Sequence, residues 1–191
     1  MAGANVVARD VTPEPPIQTM PFAYYSQLNR KQRKTYDASD AVGAVRLPYA
    51  MDCHEAVNAL EAALRDADQR SVERACRDLA ASIVDQLGAP PVRVKVRARR
   101  PLDETGELHG FYEPGEGRKW AVITVWMRTA KQNRVVAFKS FLRTLLHELV
   151  HHLDYEWLGL DETFHTEGFY KRESSLYHQV TRGTGAGRRA R

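Results

Sequence analysis

Residues 144–154 read TLLHELVHHLD and contain the pattern His-Glu-x-x-His within a segment of helical periodicity. At about 3.6 residues per turn, His147 and His151 lie one turn apart on the same face of a helix. Two neutral imidazoles held in this way can bind one Zn²⁺ ion. Glu148 lies about 100° around the helix from His147, where its carboxylate can hold a water molecule beside the metal. The pattern predicts a zinc-peptidase site with Glu148 as the general base.

The apolar residues around the motif predict that its helix has a buried face. They recur at intervals of three and four: Phe138, Phe141, Leu142, Leu145, Leu146, Leu149, Val150 and Leu153. This periodicity is typical of an amphipathic helix, which we expect to begin after the polar segment 128–133 and to end at Gly159. On an ordinary helix the histidines would be solvated or lie in the core, and the amphipathic context favours the metal site over that alternative.

A catalytic zinc site needs a third protein ligand and one open position for water. The downstream candidates are Asp154, Glu162, His165, Glu167 and Glu173. His165 is favoured, because the residues between it and His151 are enough for the helix to end and a new helix start to return to the metal. Glu173 is the main alternative. Asp154 follows His151 on the same helix and is better placed to orient an imidazole.

Other polar residues near the motif have less defined expected roles. Tyr155 and Tyr170 are near in sequence and are candidates for stabilising an oxyanion, although tyrosines on amphipathic helices are usually packing residues. His152 points about 100° away from His151, so we expect it behind the ligands or on the surface. The longer pattern His-Glu-x-x-His-x-x-Gly-x-x-His does not fit, because Asp154 and Trp157 occupy its last two positions.

Composition excludes several classes of protein. The chain has 191 residues, of which 43% are hydrophobic, which suits one domain with tails. No apolar run approaches the length of a membrane span, and residues 1–20 lack the apolar core of a signal peptide, so a cytoplasmic location is expected. The two cysteines form no Cys-x-x-Cys pair, which argues against a disulfide scaffold or a zinc ribbon. Residues 53–55 read CHE, but Asn58 stands where a second histidine would complete another metal motif.

The order of sequence patterns predicts an α+β fold. We expect a disordered arm at 1–20, a helical N-terminal extension at 21–68, the main domain at 69–180 and a disordered basic tail at 181–191. In the extension, Asp52 and Glu55 match a capping box that opens a helix. A second helix begins near Ser71, in the main domain, and the two helices are expected to form a hairpin. Three strands are predicted at 92–98, 108–113 and 119–127. They would form a small antiparallel sheet packed on the motif helix, followed by a last helix at 166–180.

Three basic segments raise the question of an acidic partner. The net charge is +4 and the sequence pI is about 9.1. Segment 22–36 interleaves tyrosines with cations, strand 92–98 alternates apolar and cationic residues, and the tail is rich in arginine. Such segments can bind nucleic acid through phosphate contacts and ring stacking. The favoured interpretation is that these basic residues are solvated surface residues and that those of strand 92–98 protect a sheet edge from aggregation.

The chain resembles the SprT-like (Spartan-type) zinc metallopeptidases. In that family a helix carries His-Glu-x-x-His, and a downstream histidine opens a segment His-Gly-x-x-Phe/Trp. Residues 165–169 read HTEGF, so the histidine and the phenylalanine keep their spacing while the glycine stands fourth. The resemblance implies that His147, His151 and His165 bind zinc and that Glu148 is the catalytic acid/base. It covers roughly residues 70–180 and implies a minimal zincin-like domain; it includes neither the C-terminal zinc ribbon of many members nor the first 65 residues.

These patterns support three functional hypotheses. The first is a zinc-dependent endopeptidase that hydrolyses protein or peptide substrates with a zinc-activated water and Glu148 as general base. The second is a metal-stabilised nucleic-acid-binding or regulatory module with little or no proteolytic activity. The third is a peptidase that controls a regulatory partner, as in repressor-cleaving metallopeptidases with the same motif. No membrane partner is expected.

Overall fold

The computed structural model describes residues 22–103, 106–117 and 119–184. It confirms the α+β class, with helices in the N-terminal part and a small sheet beside the motif helix. The helices of the described part are α1 (Arg30–Asp40), α2 (His54–Arg65), α3 (Gln69–Leu87), α4 (Phe138–Glu156) and α5 (Glu167–Thr181). The predicted arm at 1–20 and most of the predicted tail lie outside the described residues. Thr184 is the last described residue, and it is buried.

The main sheet has three strands in the order β1-β5-β4. The strands are β1 (Arg93–Arg99), β2 (Leu102–Asp103), β3 (Gly106–Glu107), β4 (Gly110–Glu113) and β5 (Val122–Arg128), and β2 pairs with β3 in a separate hairpin. β5 runs antiparallel to β4, as expected, but parallel to β1. The expectation of a wholly antiparallel sheet was therefore wrong for this pair. β4 runs in the direction opposite to β1. β5 lies between them and runs opposite to β4, so it is parallel to β1.

One face of this sheet joins the hydrophobic core, and the other is open. The buried face carries Val94, Val96, Tyr112, Ile123, Val125 and Met127, and it packs against α3 and α4. The cationic residues of β1 point to the opposite face, as the alternating sequence predicted. The residues of β5 on that face are half-buried, because β5 is the central strand.

Helices α2 and α3 form the expected hairpin, although α2 begins differently from the prediction. Residues Ala50–Cys53 form a short 3-10 turn, and α2 then begins at His54 without a side-chain cap. The predicted capping box at Asp52 is therefore absent, because Asp52 already lies within a helical turn. Helix α3 is capped by Asp68, which accepts hydrogen bonds from two backbone amides, and it ends at Gly88 in the left-handed conformation (φ 64°).

Helices α4 and α5 pack against each other, and α1 lies on the outer side of α5. Helix α4 therefore has the sheet on one side and α5 on the other. Within the described residues, no helix combines the length and the apolar character needed to cross a membrane.

Candidate metal centre

Three histidine side chains from two elements meet at one point. His147 and His151 project from one face of α4, and His165 comes from the loop that precedes α5. The Nε2 atom of His165 lies 3.0 Å from that of His147 and 3.2 Å from that of His151. All three donor atoms lie within 4.8 Å of one another, so the group could hold a metal ion. The structure thus brings together the three residues that the sequence singled out.

The surroundings of His151 and His165 favour the neutral imidazole, the form that binds a metal ion. Burial lowers the pKa of His151 to about 3, with further contributions from the positive forms of His147 and His165. Burial and His147 also lower the pKa of His165. A cation at the centre would relieve the crowding of three lone pairs that otherwise face one another, so the donor set fits a metal ion.

A carboxylate orients the first histidine. The Nδ1 atom of His147 lies 3.2 Å from Oε2 of Glu173, and since a carboxylate accepts, Nδ1 carries the proton. The Nε2 lone pair is then free to face the other ligands. Arg143 donates a second hydrogen bond to Glu173 over 2.9 Å. Burial alone would raise the pKa of Glu173, but the hydrogen bonds from His147 and Arg143 outweigh it and lower the pKa. Glu173, the alternative third ligand, thus lies behind His147 and outside the ligand group.

A threonine orients the second histidine. Thr163 donates its one hydroxyl proton to Oδ2 of Asp154 over 3.0 Å, so its oxygen must accept from Nδ1 of His151, 2.8 Å away. This fixes the same tautomer, with Nε2 unprotonated. Asp154 therefore orients an imidazole, as expected, but it acts through Thr163. No sequence pattern marked Thr163.

The ring of Phe169 packs against the rings of all three histidines. Its centroid lies 4.9, 4.7 and 5.0 Å from the rings of His147, His151 and His165, and the side chain is fully buried. The hydroxyl of Thr166 caps α5 by accepting a hydrogen bond from the backbone amide of Phe169. The first turn of α5, which carries Phe169, is therefore held against the three histidines.

Glu148 lies beside the ligands against β4. Only 7% of its surface is exposed, and burial raises its pKa to about 7, while the positive form of His147 opposes the shift. The carboxylate packs against the backbone of Gly110, where an added Cβ would lie 2.7 Å from Cγ of Glu148. No sequence pattern marked Gly110, because the close approach that excludes a side chain there exists only where β4 lies against α4.

An open cleft of about 310 Å³ gives access to this region. Its lining residues are His109, Gly110, Arg143, Thr144, His147, Glu148 and Glu173. It presents two carboxylates, one guanidinium and one ligand histidine at the same opening. The cleft is the route by which a small molecule or an extended chain can reach Glu148.

The remaining candidates lie in different places. His152 is buried and points to the sheet, where it accepts from the hydroxyl of Tyr112 (3.2 Å) and donates to the carbonyl of Pro90 (2.8 Å). The expectation that it lies behind the ligands or on the surface was wrong, because the turn of about 100° directs it into the core. Tyr155 stacks on Tyr112 in the same region. Of the two candidate tyrosines, only Tyr170 contacts the ligand group, with its ring 5.9 Å from that of His165.

Gly110→Ala tests the close approach of β4 to Glu148. We expect this change to lower the free energy of unfolding by about 1–3 kcal/mol through overpacking. In the Glu148→Ala background the same change should cost little, because the contacted atoms are gone. Chemical denaturation of the wild type, of Gly110→Ala, of Glu148→Ala and of the double variant measures the energetic coupling between the two positions. Gly43→Ala is the control, since its Cβ would meet only Lys171 at 3.6 Å. Equal costs in both backgrounds would contradict the proposed contact.

Glu148→Gln tests the burial of the carboxyl group. The pKa of Glu148 is about 7 in the folded state, and its ordinary value is 4.5. Protonation of Glu148 therefore stabilises the fold fully below about pH 4.5, and this stabilisation is lost as the pH rises through 7. In the presence of a chelator, the variant should match the wild type near pH 4.5 and exceed it by about 2–3 kcal/mol at pH 8. Denaturation at both pH values measures this, and a difference independent of pH would contradict it.

Comparisons of the chain with protein-family models, with curated proteins and with solved structures found no match. The interpretation of the site therefore depends on its geometry and on the chemistry of its residues.

Proposed function

We propose that this chain is a zinc-dependent metallopeptidase that hydrolyses peptide bonds with Glu148 as the general base. One observation carries the proposal: the Nε2 atoms of three histidines converge beside a desolvated carboxyl group that faces an open cleft. A purely structural zinc site is closed by four protein ligands and has no need of a general base. Three ligands next to a cleft instead leave a position for water.

The nature of the donors favours zinc over other divalent ions. Three imidazoles suit Zn²⁺, whereas Mg²⁺ and Ca²⁺ prefer carboxylate and carbonyl oxygens. The Glu173 and Thr163 contacts, which hold the protons on Nδ1, match the way in which zinc-binding histidines are usually oriented. When bound, the ion would lower the pKa of water and polarise the carbonyl group of a substrate.

Glu148 supplies the proton transfer. A pKa of about 7 lets the carboxylate take a proton from a water molecule near neutral pH and return it to the leaving amine. The carboxylate is held in place by its packing against Gly110. Tyr170, whose ring lies 5.9 Å from that of His165 and which is 45% exposed, is the candidate donor of a hydrogen bond to a developing oxyanion.

The edge strand β4 provides a binding mode for an extended substrate. It has only one partner, β5, so its other edge is free among the described strands. Because Gly110 begins β4 and lines the cleft, a peptide added to this edge would lie beside Glu148. Main-chain hydrogen bonds to an edge strand are a common mode of peptide recognition.

Metal analysis with a cleavage assay tests the peptidase. The wild type should bind about one Zn²⁺ per chain and cleave an unfolded protein such as casein, and chelation should stop cleavage. Glu148→Gln should keep the metal and lose cleavage by about two to four orders of magnitude, because only the proton transfer is removed.

Glu156→Gln is the matched control on the same helix, since Glu156 is exposed. It should keep both zinc and cleavage. Unimpaired cleavage by Glu148→Gln would exclude the mechanism, and the absence of bound zinc from the wild type would exclude the site.

The open face of the sheet supports a second candidate function, the binding of single-stranded nucleic acid. Arg93, Lys95 and Arg97 are exposed along β1. Trp126 lies on β5 opposite Arg97, and Phe111, which is 48% exposed, lies across the same face on β4. Lys95, Arg97, Phe111 and the half-buried Trp126 border a groove of about 700 Å³. Cations beside exposed rings are the combination that binds phosphates and stacks bases.

The N-terminal segment is a weaker candidate for this role. Tyr36 is buried, and the rings of Tyr24 and Tyr25 pack on it at 5.9 and 4.9 Å. These aromatic side chains stabilise the fold around α1, so they have little freedom to stack on bases. The sheet therefore offers the better combination of cations and available rings.

Fluorescence anisotropy with a labelled single-stranded oligonucleotide tests this surface. Lys95→Ala with Arg97→Ala should weaken binding, and the slope of log affinity against log salt should fall by about 0.7 for each phosphate that the variant no longer neutralises. Arg70→Ala with Arg74→Ala, on the exposed side of α3, is the charge-matched control. An equal loss of affinity in the control would show diffuse attraction and exclude the surface. Binding without any proteolysis would favour the second function over the first.

A further inference from the structure

A buried arginine joins the N-terminal extension to the motif helix. Arg172, on α5, is 0% exposed. Its Nη1 atom donates to the carbonyl oxygens of Ser39 and Val42, both over 2.6 Å. Its Nη2 atom donates to Oγ of Ser39 over 2.9 Å and to both carboxylate oxygens of Asp154 over 2.8 and 3.0 Å. One guanidinium group therefore links α1, α4 and α5.

This link requires the end of α1. A buried charge is costly unless its partners are fixed and well aligned. Asp154 supplies the opposite charge, and the last carbonyl groups of a helix, which carry partial negative charge, supply the other acceptors. Without Ser39 and Val42, Arg172 would keep Asp154 as its partner but lose its three hydrogen bonds to the extension.

The same network continues to the ligand group. Asp154 accepts from Thr163, and Thr163 accepts from Nδ1 of His151. A chain of hydrogen bonds thus runs from Ser39 through Arg172, Asp154 and Thr163 to His151. Because the position of the Asp154 carboxylate decides where the Thr163 proton points, it also decides the tautomer and the orientation of His151.

The N-terminal extension also contacts the loop that carries His165. The hydroxyl of Tyr24 donates to the carbonyl of His165 over 3.1 Å. Oδ1 of Asp40 accepts from the backbone amide of Gly168 over 2.8 Å. Gly168 lies so close to α1 that an added Cβ would be 2.8 Å from Cα of Asp40. Both the loop and the start of α5 are therefore held against the extension.

We propose that residues 22–47 are an integral part of the metal centre, with Arg172 as the positioning residue through which they orient His151. The extension holds two of the three ligands: His151 through the hydrogen-bond chain and His165 through the backbone of its loop. The inference rests on the metal site of the proposed function, but it does not depend on peptide hydrolysis. It assigns to this segment a role in the metal centre that no sequence pattern indicated.

Zinc affinity of the full chain, measured by competition with a chelator, tests this role. Thr163→Val breaks the chain next to His151 and should weaken zinc binding roughly 10- to 100-fold. Arg172→Lys keeps the charge but loses the planar fork and should weaken binding to a similar degree. Ser39→Ala and Tyr24→Phe act from the extension, without a contact to a ligand imidazole, and should each give a smaller loss of affinity, on the order of 3- to 10-fold.

The control separates positioning from stability. Leu60→Ala removes a buried side chain of α2 and should lower the melting temperature without changing zinc affinity. The d–d spectrum of bound Co²⁺ gives a second measure, which should change in Thr163→Val and Arg172→Lys and stay the same in Leu60→Ala. If Arg172→Lys does not fold, Ser39→Ala and Tyr24→Phe still decide the question.

The outcomes separate the two proposals. Tight zinc binding by the wild type with unchanged affinity in Ser39→Ala and Tyr24→Phe would overturn the inference and leave the metal site intact, whatever the effect of Thr163→Val. An equal loss of affinity in Leu60→Ala would also overturn it, because affinity would then follow global stability. Failure of the wild type to bind zinc would overturn the metal site and the inference together.

Discussion

The ion pair between Arg172 and Asp154 is the interaction on which the arrangement of the helices around the candidate metal centre depends. Both side chains are fully buried, and two charges in a core are tolerated only when every contact is well aligned. The pair therefore requires α1, α4 and α5 to keep one relative position. Nonpolar packing alone would leave these helices free to slide by small amounts, whereas the directional hydrogen bonds of one planar guanidinium group set their register. The histidines of α4 and of the loop before α5 are then held at separations at which they could bind one ion.

The site itself is built at a cost to stability. Glu148 is desolvated, which disfavours its charged form, and the crowded histidines disfavour their protonated forms. Edge strand β4 has a glycine at position 110, without a side chain to pack, so that the carboxyl group of Glu148 can lie against the backbone. The large apolar core of α2, α3, the sheet and α4 offsets these costs. Perturbed titratable groups that share a cleft are typical of catalytic sites.

The sheet separates two chemically different surfaces. Its inner face packs on α4 and brings the beginning of β4 to the cleft, while its outer face presents the cations of β1 beside Phe111 and Trp126. Because side chains alternate along a strand, neighbouring residues of one short strand serve both surfaces. On β4, Gly110 faces Glu148, and the next residue, Phe111, faces the open groove. A change in the register of β4 would exchange these roles.

The sequence by itself determined those features that depend on local spacing. The interval of four residues places His147 and His151 on one face of a helix, with Glu148 beside them, and the alternation in β1 predicted its cationic outer face. His165 followed from its distance along the chain and from the resemblance of its segment. Only the tertiary structure decided the parallel pairing of β1 with β5, the contact of Gly110 with Glu148, and the chain from Ser39 to His151. These pair residues that are distant in sequence, such as Ser39 with Arg172, and no periodicity within one element reports which elements will meet.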